Sequence, residues 1–177
     1  MQNTKPAPQE QIFSIVLGFW QARALAVATE LGLPDLLADG PLHIDELTRR
    51  TKTNASALYR LLRALETIGI FTQTSPRVFG NTPTSKCLRK DVPGSQWPLV
   101  LHNLSKGNGP FEAWEELEYA VRTGEPSLDK IYGYDFWELL RRNPDAYEAM
   151  RGDAFHQPDH DAGRYSCLRM EPLPGGS

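Results

Sequence analysis

From Glu10 to Leu31, apolar residues return at three- and four-residue steps. Ile12, Ile15, Val16, Phe19, Ala22 and Ala26 mark one face, and Phe13, Leu17, Trp20 and Leu25 mark a second. The 3.6-residue period predicts a helix. A helix apolar on more than one side must bury both. Either it runs through the centre of the chain's own core, or a partner chain covers it. On the second reading Ile12, Phe13, Val16, Phe19 and Trp20 form the dimer interface.

Gly32 ends this helix and Pro34 opens a short one, Pro34 to Ala38, followed by the turn Asp39-Gly40-Pro41. Ile44 to Thr51 is a short amphipathic helix with acids in its first turn and Arg49 and Arg50 in its last, which suits the helix dipole. Asn54 is a good N-cap for the next helix, whose stripe is Leu58, Leu61, Leu62, Leu65 and Ile68. Gly69 is its expected C′ residue. Ile70–Gln73 and Arg77–Gly80 read as one short β-hairpin across Thr74-Ser75-Pro76. Three helices followed by a hairpin is the order of a winged helix.

Beyond Pro93-Gly94 the pattern is helical again, with expected helices at Trp97–Lys106, Phe111–Arg122, Asp135–Arg142 and from Pro144 to about Phe155. The expected class is mainly α: a winged-helix-like helical dimerisation domain, one short β-hairpin and additional C-terminal helices. Residues 1–9 read as a disordered arm, 10–92 as the winged-helix-like unit, 93–155 as a helical linker segment, and 156–177 as an irregular tail. Aromatic residues crowd the 97–147 region, where core packing accounts for most of them.

Composition narrows the function classes. A net charge of -3 does not favour a polyanion partner. Cys87 and Cys167 are far apart and build neither a disulfide framework nor a metal pair, which fits a reducing compartment. The polar start, with Pro6 and Pro8, lacks the pattern of a signal peptide. Gln21, Arg23 and Glu30 interrupt the apolar stretch Ile12–Leu33, which argues against a membrane span. The expectation is a soluble, cytoplasmic protein without a metal site.

Three stretches together resemble a known family. They are Leu25–Leu37 (LAVATELGLPDLL) with Ile44–Leu47 (IDEL); Leu58–Phe71 (LYRLLRALETIGIF) with the hairpin and Asn81–Ser85; and the run from Trp114 through Val121–Pro126 (VRTGEP) to Phe136-Trp137 and Pro144…Met150. Over residues 10–155 the chain resembles the amino-terminal dimerisation domain of plant-type and bacterial small-molecule O-methyltransferases. The resemblance implies an intertwined homodimer, or a heterodimer with a full-length relative. It also implies one wall of a pocket for a small hydroxylated, aromatic acceptor, with Trp114, Phe136, Tyr147, Met150 and His102 as candidate lining residues. In the family a separate Rossmann-like domain binds S-adenosylmethionine, and a histidine there acts as general base. Neither is found in this sequence. Gly107-Asn108-Gly109 follows no strand and precedes Pro-Phe, so it is not a dinucleotide fingerprint. No cofactor, no catalytic residue and no transfer by this chain alone are expected.

The tail admits two readings: a genuine irregular segment, or a shifted reading frame. Read one base forward, Met170-Glu171 must give Trp, and neighbouring codons permit Tyr-Glu-Trp-Ser-Arg-Tyr, as the family has before its cofactor-binding strand. The rival from another class is a winged-helix DNA-binding transcription regulator. Against it, the helix Asn54–Ile68 offers Arg60 and Arg63 but is otherwise mostly Ala and Leu, and nucleic acid is not the expected partner.

Overall fold

A computed structural model describes residues 7–144. Helix α1 spans Pro8–Glu30, with Pro8 at a position where its missing N–H costs nothing. The Ala7 N–H donates to Glu10 Oε2 at 3.1 Å. Pro8 and Gln9 are thus helical, a correction to the expected disordered arm. The structure also corrects the membrane argument. By length and composition α1 is apolar enough to cross a membrane, with mean hydropathy 1.5 over its most apolar window. Its C-terminal half instead enters the core, where Ala26, Ala28 and Thr29 are buried.

Gly32, in the left-handed region at φ 65°, turns the chain into α2 (Leu33–Leu36). Strand β1 (Leu42–His43) leads into α3 (Ile44–Thr51), where His43 Nδ1 accepts from the Asp45 N–H at 3.3 Å. Helix α4 (Ala55–Thr67) starts at Asn54, whose Oδ1 accepts from the Ala57 N–H at 3.0 Å. Strands β2 (Phe71–Ser75) and β3 (Val78–Asn81) form the hairpin, with an irregularity between Gln73 and Ser75 and Arg77 at φ 62° in the turn. The expected lone hairpin is in fact a three-stranded antiparallel sheet in the order β1-β3-β2, with Leu42 opposite Phe79. A two-residue strand is too short for alternation to reveal it.

The main core lies where α1, α2, α3, α4 and the sheet converge. Ala28, Leu33, Ile44, Leu47, Leu62, Leu65, Phe71 and Phe79 are each at most 1% exposed. Burying one leucine of this kind stabilises by ~1.5–3 kcal/mol. Helix α5 (Pro83–Lys86) begins at Thr82, which donates to the Ile70 carbonyl at 2.7 Å and so ties the end of the hairpin to its start.

Helix α6 (Trp97–Leu104) lies on the base of α1, where Ala26, Leu88 and Val100 share a smaller core. The expected helix Phe111–Arg122 is two, α7 (Pro110–Glu115) and α8 (Leu117–Thr123), broken at Glu116. Glu116 accepts from Lys130 Nζ at 2.6 Å, on the unexpected helix α9 (Ser127–Tyr132). Six residues give that helix less than two turns of periodicity, so no stripe betrays it. Helix α10 (Phe136–Arg142) is capped by Asp135, which accepts from the Glu138 N–H at 2.8 Å. The helix expected beyond Pro144, with Tyr147 and Met150, and the tail from His156 lie outside the described residues.

Candidate functional site

Helix α1 is buried at its base and bare at its tip. Successive residues turn by about 100°, so Ile12, Ile15, Val16, Phe19, Arg23 and Ala26 form one continuous stripe. At the base the chain covers this stripe itself: Ala26 sits against Leu88 and Val100. The Arg23 guanidinium donates to the Leu104 carbonyl and lies 4.6 Å over the Phe111 ring. A second stripe, Phe13, Leu17, Trp20, Ala24 and Ala28, meets the main core at Ala24 and Ala28. From Gln21 towards Pro8 the described residues leave both stripes largely uncovered. Ile12 is 66% exposed, Phe13 60%, Ile15 71%, Phe19 59% and Trp20 58%, with Val16 at 44%. The five dimer-interface candidates all lie on this bare tip. Gln11, Ser14, Gly18 and Gln21 form a strip of polar or small residues beside them.

Where the tip meets the body, an open groove of about 450 Å³ is lined by Phe19, Ala22, Arg23, Leu104, Phe111 and Trp114. Trp114 on α7 is 69% exposed, while Phe111 beneath it is buried. The groove is apolar apart from Arg23, Asn103 and Glu115, and the first two are engaged inside the chain: Arg23 as above, and Asn103 Nδ2 on the Leu99 carbonyl at 2.9 Å. Arg23 and Phe111 were not foreseen as groove residues. The signal was a lone arginine one turn beyond Phe19 in an otherwise apolar face.

The other acceptor-wall candidates are placed apart. His102 on α6 is 4% exposed, its Nδ1 has no hydrogen-bond partner among the described residues, and burial pushes its pKa below the usual 6.5. Phe136 stacks edge-on against Trp137, ring centres 5.6 Å apart, and covers Leu140. Neither lines the groove that holds Trp114. A second groove, about 510 Å³, lies between Leu25, Ile70, Pro83, Cys87, Leu88 and Val100.

The Gly107-Asn108-Gly109 turn does not fit a sulfonium nucleoside. Its N–H groups at 107 and 109 are occupied by the Glu112 carboxylate, at 2.6 and 3.3 Å. A Cβ at Gly109 would lie 2.3 Å from Leu139 Cδ2, so this glycine serves close packing against α10. Among the described residues, no group of three or more His, Cys, Asp or Glu is placed to hold a metal ion.

Residues 13–91 match the O-methyltransferase dimerisation domain family. This part of the chain is an O-methyltransferase dimerisation domain. A phenazine O-methyltransferase of Lysobacter antibioticus is 36% identical over 135 residues, which are 76% of this chain and 39% of the relative. The crystal structure of LaPhzM superposes with TM-score 0.76 at 33% identity, covering 84% of this chain and 44% of that one. An O-methyltransferase from neocarzinostatin biosynthesis, solved with S-adenosylmethionine and 2-hydroxy-5-methyl naphthoic acid, gives TM-score 0.61 at 31% identity over 73% of this chain and 39% of that one. The chain spans about 40% of the length of the curated relatives it matches. These relatives methylate small molecules, and nothing in the matches supports a DNA-binding regulator. In the dimerisation domain Arg63 is engaged with Glu66 and Gln73, and Arg77 in the hairpin turn with Asp45.

Proposed function

We propose that this chain is the dimer-forming and acceptor-wall portion of an S-adenosylmethionine-dependent O-methyltransferase acting on a small hydroxylated aromatic molecule. In this reading α3, α4 and the hairpin are a winged-helix-type frame, and the helices after residue 93 furnish the wall. A second copy of the chain, or a full-length relative, covers α1. The observation that carries it is the coincidence of the dimerisation-domain match with six large apolar side chains left bare on α1. A bare patch of that size on a helix is costly to leave in water and marks an interaction surface. Methyl transfer needs the sulfonium held in line with the acceptor oxygen, and the turn at Gly107-Asn108-Gly109 has its N–H groups at 107 and 109 taken by the Glu112 carboxylate. The role assigned to these residues is therefore assembly and enclosure.

The test is light scattering of the purified chain over a dilution series, with calorimetric titration of S-adenosylmethionine alongside. The expected mass is about twice the 19.9 kDa of one chain, with donor binding weaker than about 1 mM. A single-chain mass at every concentration overturns the dimer, and micromolar donor binding overturns the division of labour.

A further inference from the structure

We propose that the outer edge of β2 is a strand-pairing surface that Glu66 holds shut, so that two copies of this chain do not join sheet to sheet. Among the described residues β2 lies at one edge of the sheet, beyond β3. An edge strand offers its N–H and C=O groups to any other extended chain, and charged side chains or a proline on the strand commonly prevent this. β2 reads Phe71-Thr72-Gln73-Thr74-Ser75 and carries neither. Its threonines favour extended backbone. The strand is also self-complementary. In an antiparallel pair about a two-fold axis at Gln73, Thr72 of each copy faces Thr74 of the other, a favourable cross-strand match. The opposite edge, β1, has only two residues, and a very short edge strand is a poor template.

The guard on β2 comes from α4. The Gln73 N–H is turned to that helix, where Glu66 Oε1 accepts it at 3.1 Å. The other carboxylate oxygen accepts from Arg63 Nη1 at 2.6 Å, and the same Nη1 donates to Gln73 Oε1 at 2.9 Å. Backbone and side chain of the middle residue of β2 are thus both tied to the helix. An incoming strand would need this N–H for one of its own carbonyls. That carbonyl oxygen would meet a carboxylate already in its place, and the two repel. Just before the strand, the Ile70 carbonyl is likewise taken, by the Thr82 hydroxyl at 2.7 Å.

The experiment reads amide exchange at Gln73 by NMR, and mass by sedimentation over a dilution series. It compares the unmutated chain with Glu66→Ala, Glu66→Gln and Arg63→Ala. In the unmutated chain the Gln73 N–H is protected. Glu66→Ala speeds its exchange about tenfold or more before any association. On concentration that variant gains mass over the unmutated chain, with added extended-strand infrared absorbance. Glu66→Gln keeps an acceptor for the N–H and matches the unmutated chain. Arg63→Ala loses the ion pair, keeps Glu66 and also gains no mass. Glu66→Met, of similar length and without a strong acceptor, takes the place of Glu66→Ala if that variant does not fold. Free exchange at Gln73 in the unmutated chain overturns the latch. So does a folded Glu66→Ala chain that gains no mass, or an Arg63→Ala chain that gains as much. The latch stands apart from pairing through α1: a gain in mass is read equally from a single or a paired unmutated chain.

Discussion

Gly109 and Leu139 touch backbone to side chain: a Cβ at residue 109 would lie 2.3 Å from Leu139 Cδ2. That contact seats α10 against the turn between α6 and α7. Gly109 also has φ +97°, outside the range of L side chains. Gly107→Ala makes a control, since Gly107 has φ +88° but open space where its Cβ would go. Both variants carry backbone strain, and only Gly109→Ala adds overpacking. We expect Gly109→Ala to cost ~1–3 kcal/mol more than Gly107→Ala. Thermal unfolding of the two variants reads the difference directly.

Asn81 is the polar keystone between the hairpin and α2. Its Nδ2 donates to the Pro34 carbonyl at 2.8 Å, and its Oδ1 accepts from the buried Ser85 hydroxyl at 2.9 Å. Removing the amide leaves both partners short of a bond where water does not reach easily. Asn81→Ala should lose ~1–3 kcal/mol, a fall of roughly 2–4 °C in Tm per kcal/mol for a chain of this size. Asn81→Asp should lose more at neutral pH, since it retains the acceptor for Ser85 but sets a carboxylate against the Pro34 carbonyl. Equal melting of Asn81→Ala and the unmutated chain would remove Asn81 from this role.

The elements with long periodic stripes were legible. Leu58, Leu62 and Leu65 marked α4, Asn54 marked its start, and Gly69, at φ +77°, its end. The two apolar faces of α1 were legible too, and the structure shows why the pattern alone left two readings open: the base of the helix is core and the tip is bare. What stayed hidden was short or long-range. Strand β1 has two residues and α9 six, too few to show a period. The groove depends on Phe19 meeting Trp114 across nearly a hundred residues of chain, and His102 and Phe136 go elsewhere for reasons of packing that spacing does not encode.

Charge on the bare stripe separates assembly from folding. Ile15 is 71% exposed and lies a full turn beyond the nearest groove residue, Phe19. Ile15→Glu therefore removes little packing among the described residues. It should leave the thermal midpoint at high dilution unchanged, while burying an unpaired carboxylate in any dimer seam. Light scattering should then show a single-chain mass at concentrations where the unmutated chain is paired. A variant that both dissociates and melts early would mean that the tip contributes to the fold of its own chain.

Acid should weaken the protein first through His102. Burial holds its folded pKa below the ordinary 6.5, with no partner on Nδ1 among the described residues to stabilise the charged ring. Below about pH 6.5 the unfolded chain takes up a proton that the folded chain refuses, so stability falls as pH drops through the window beneath that value. Glu46 acts lower down. Hydrogen bonds from Arg49 and Arg50 bring its carboxyl from 4.5 to about 2, so its contribution is present above 4.5 and fades as pH falls towards 2. As an exposed cluster screened by water, that contribution is small. Thermal melts at about pH 7.5 and about pH 5.5 isolate the histidine, because Glu46 stays ionised at both. The unmutated chain should lose more Tm between the two than His102→Gln, which does not titrate. Parallel losses in the two proteins would show that His102 is charged in the folded state, contrary to its burial.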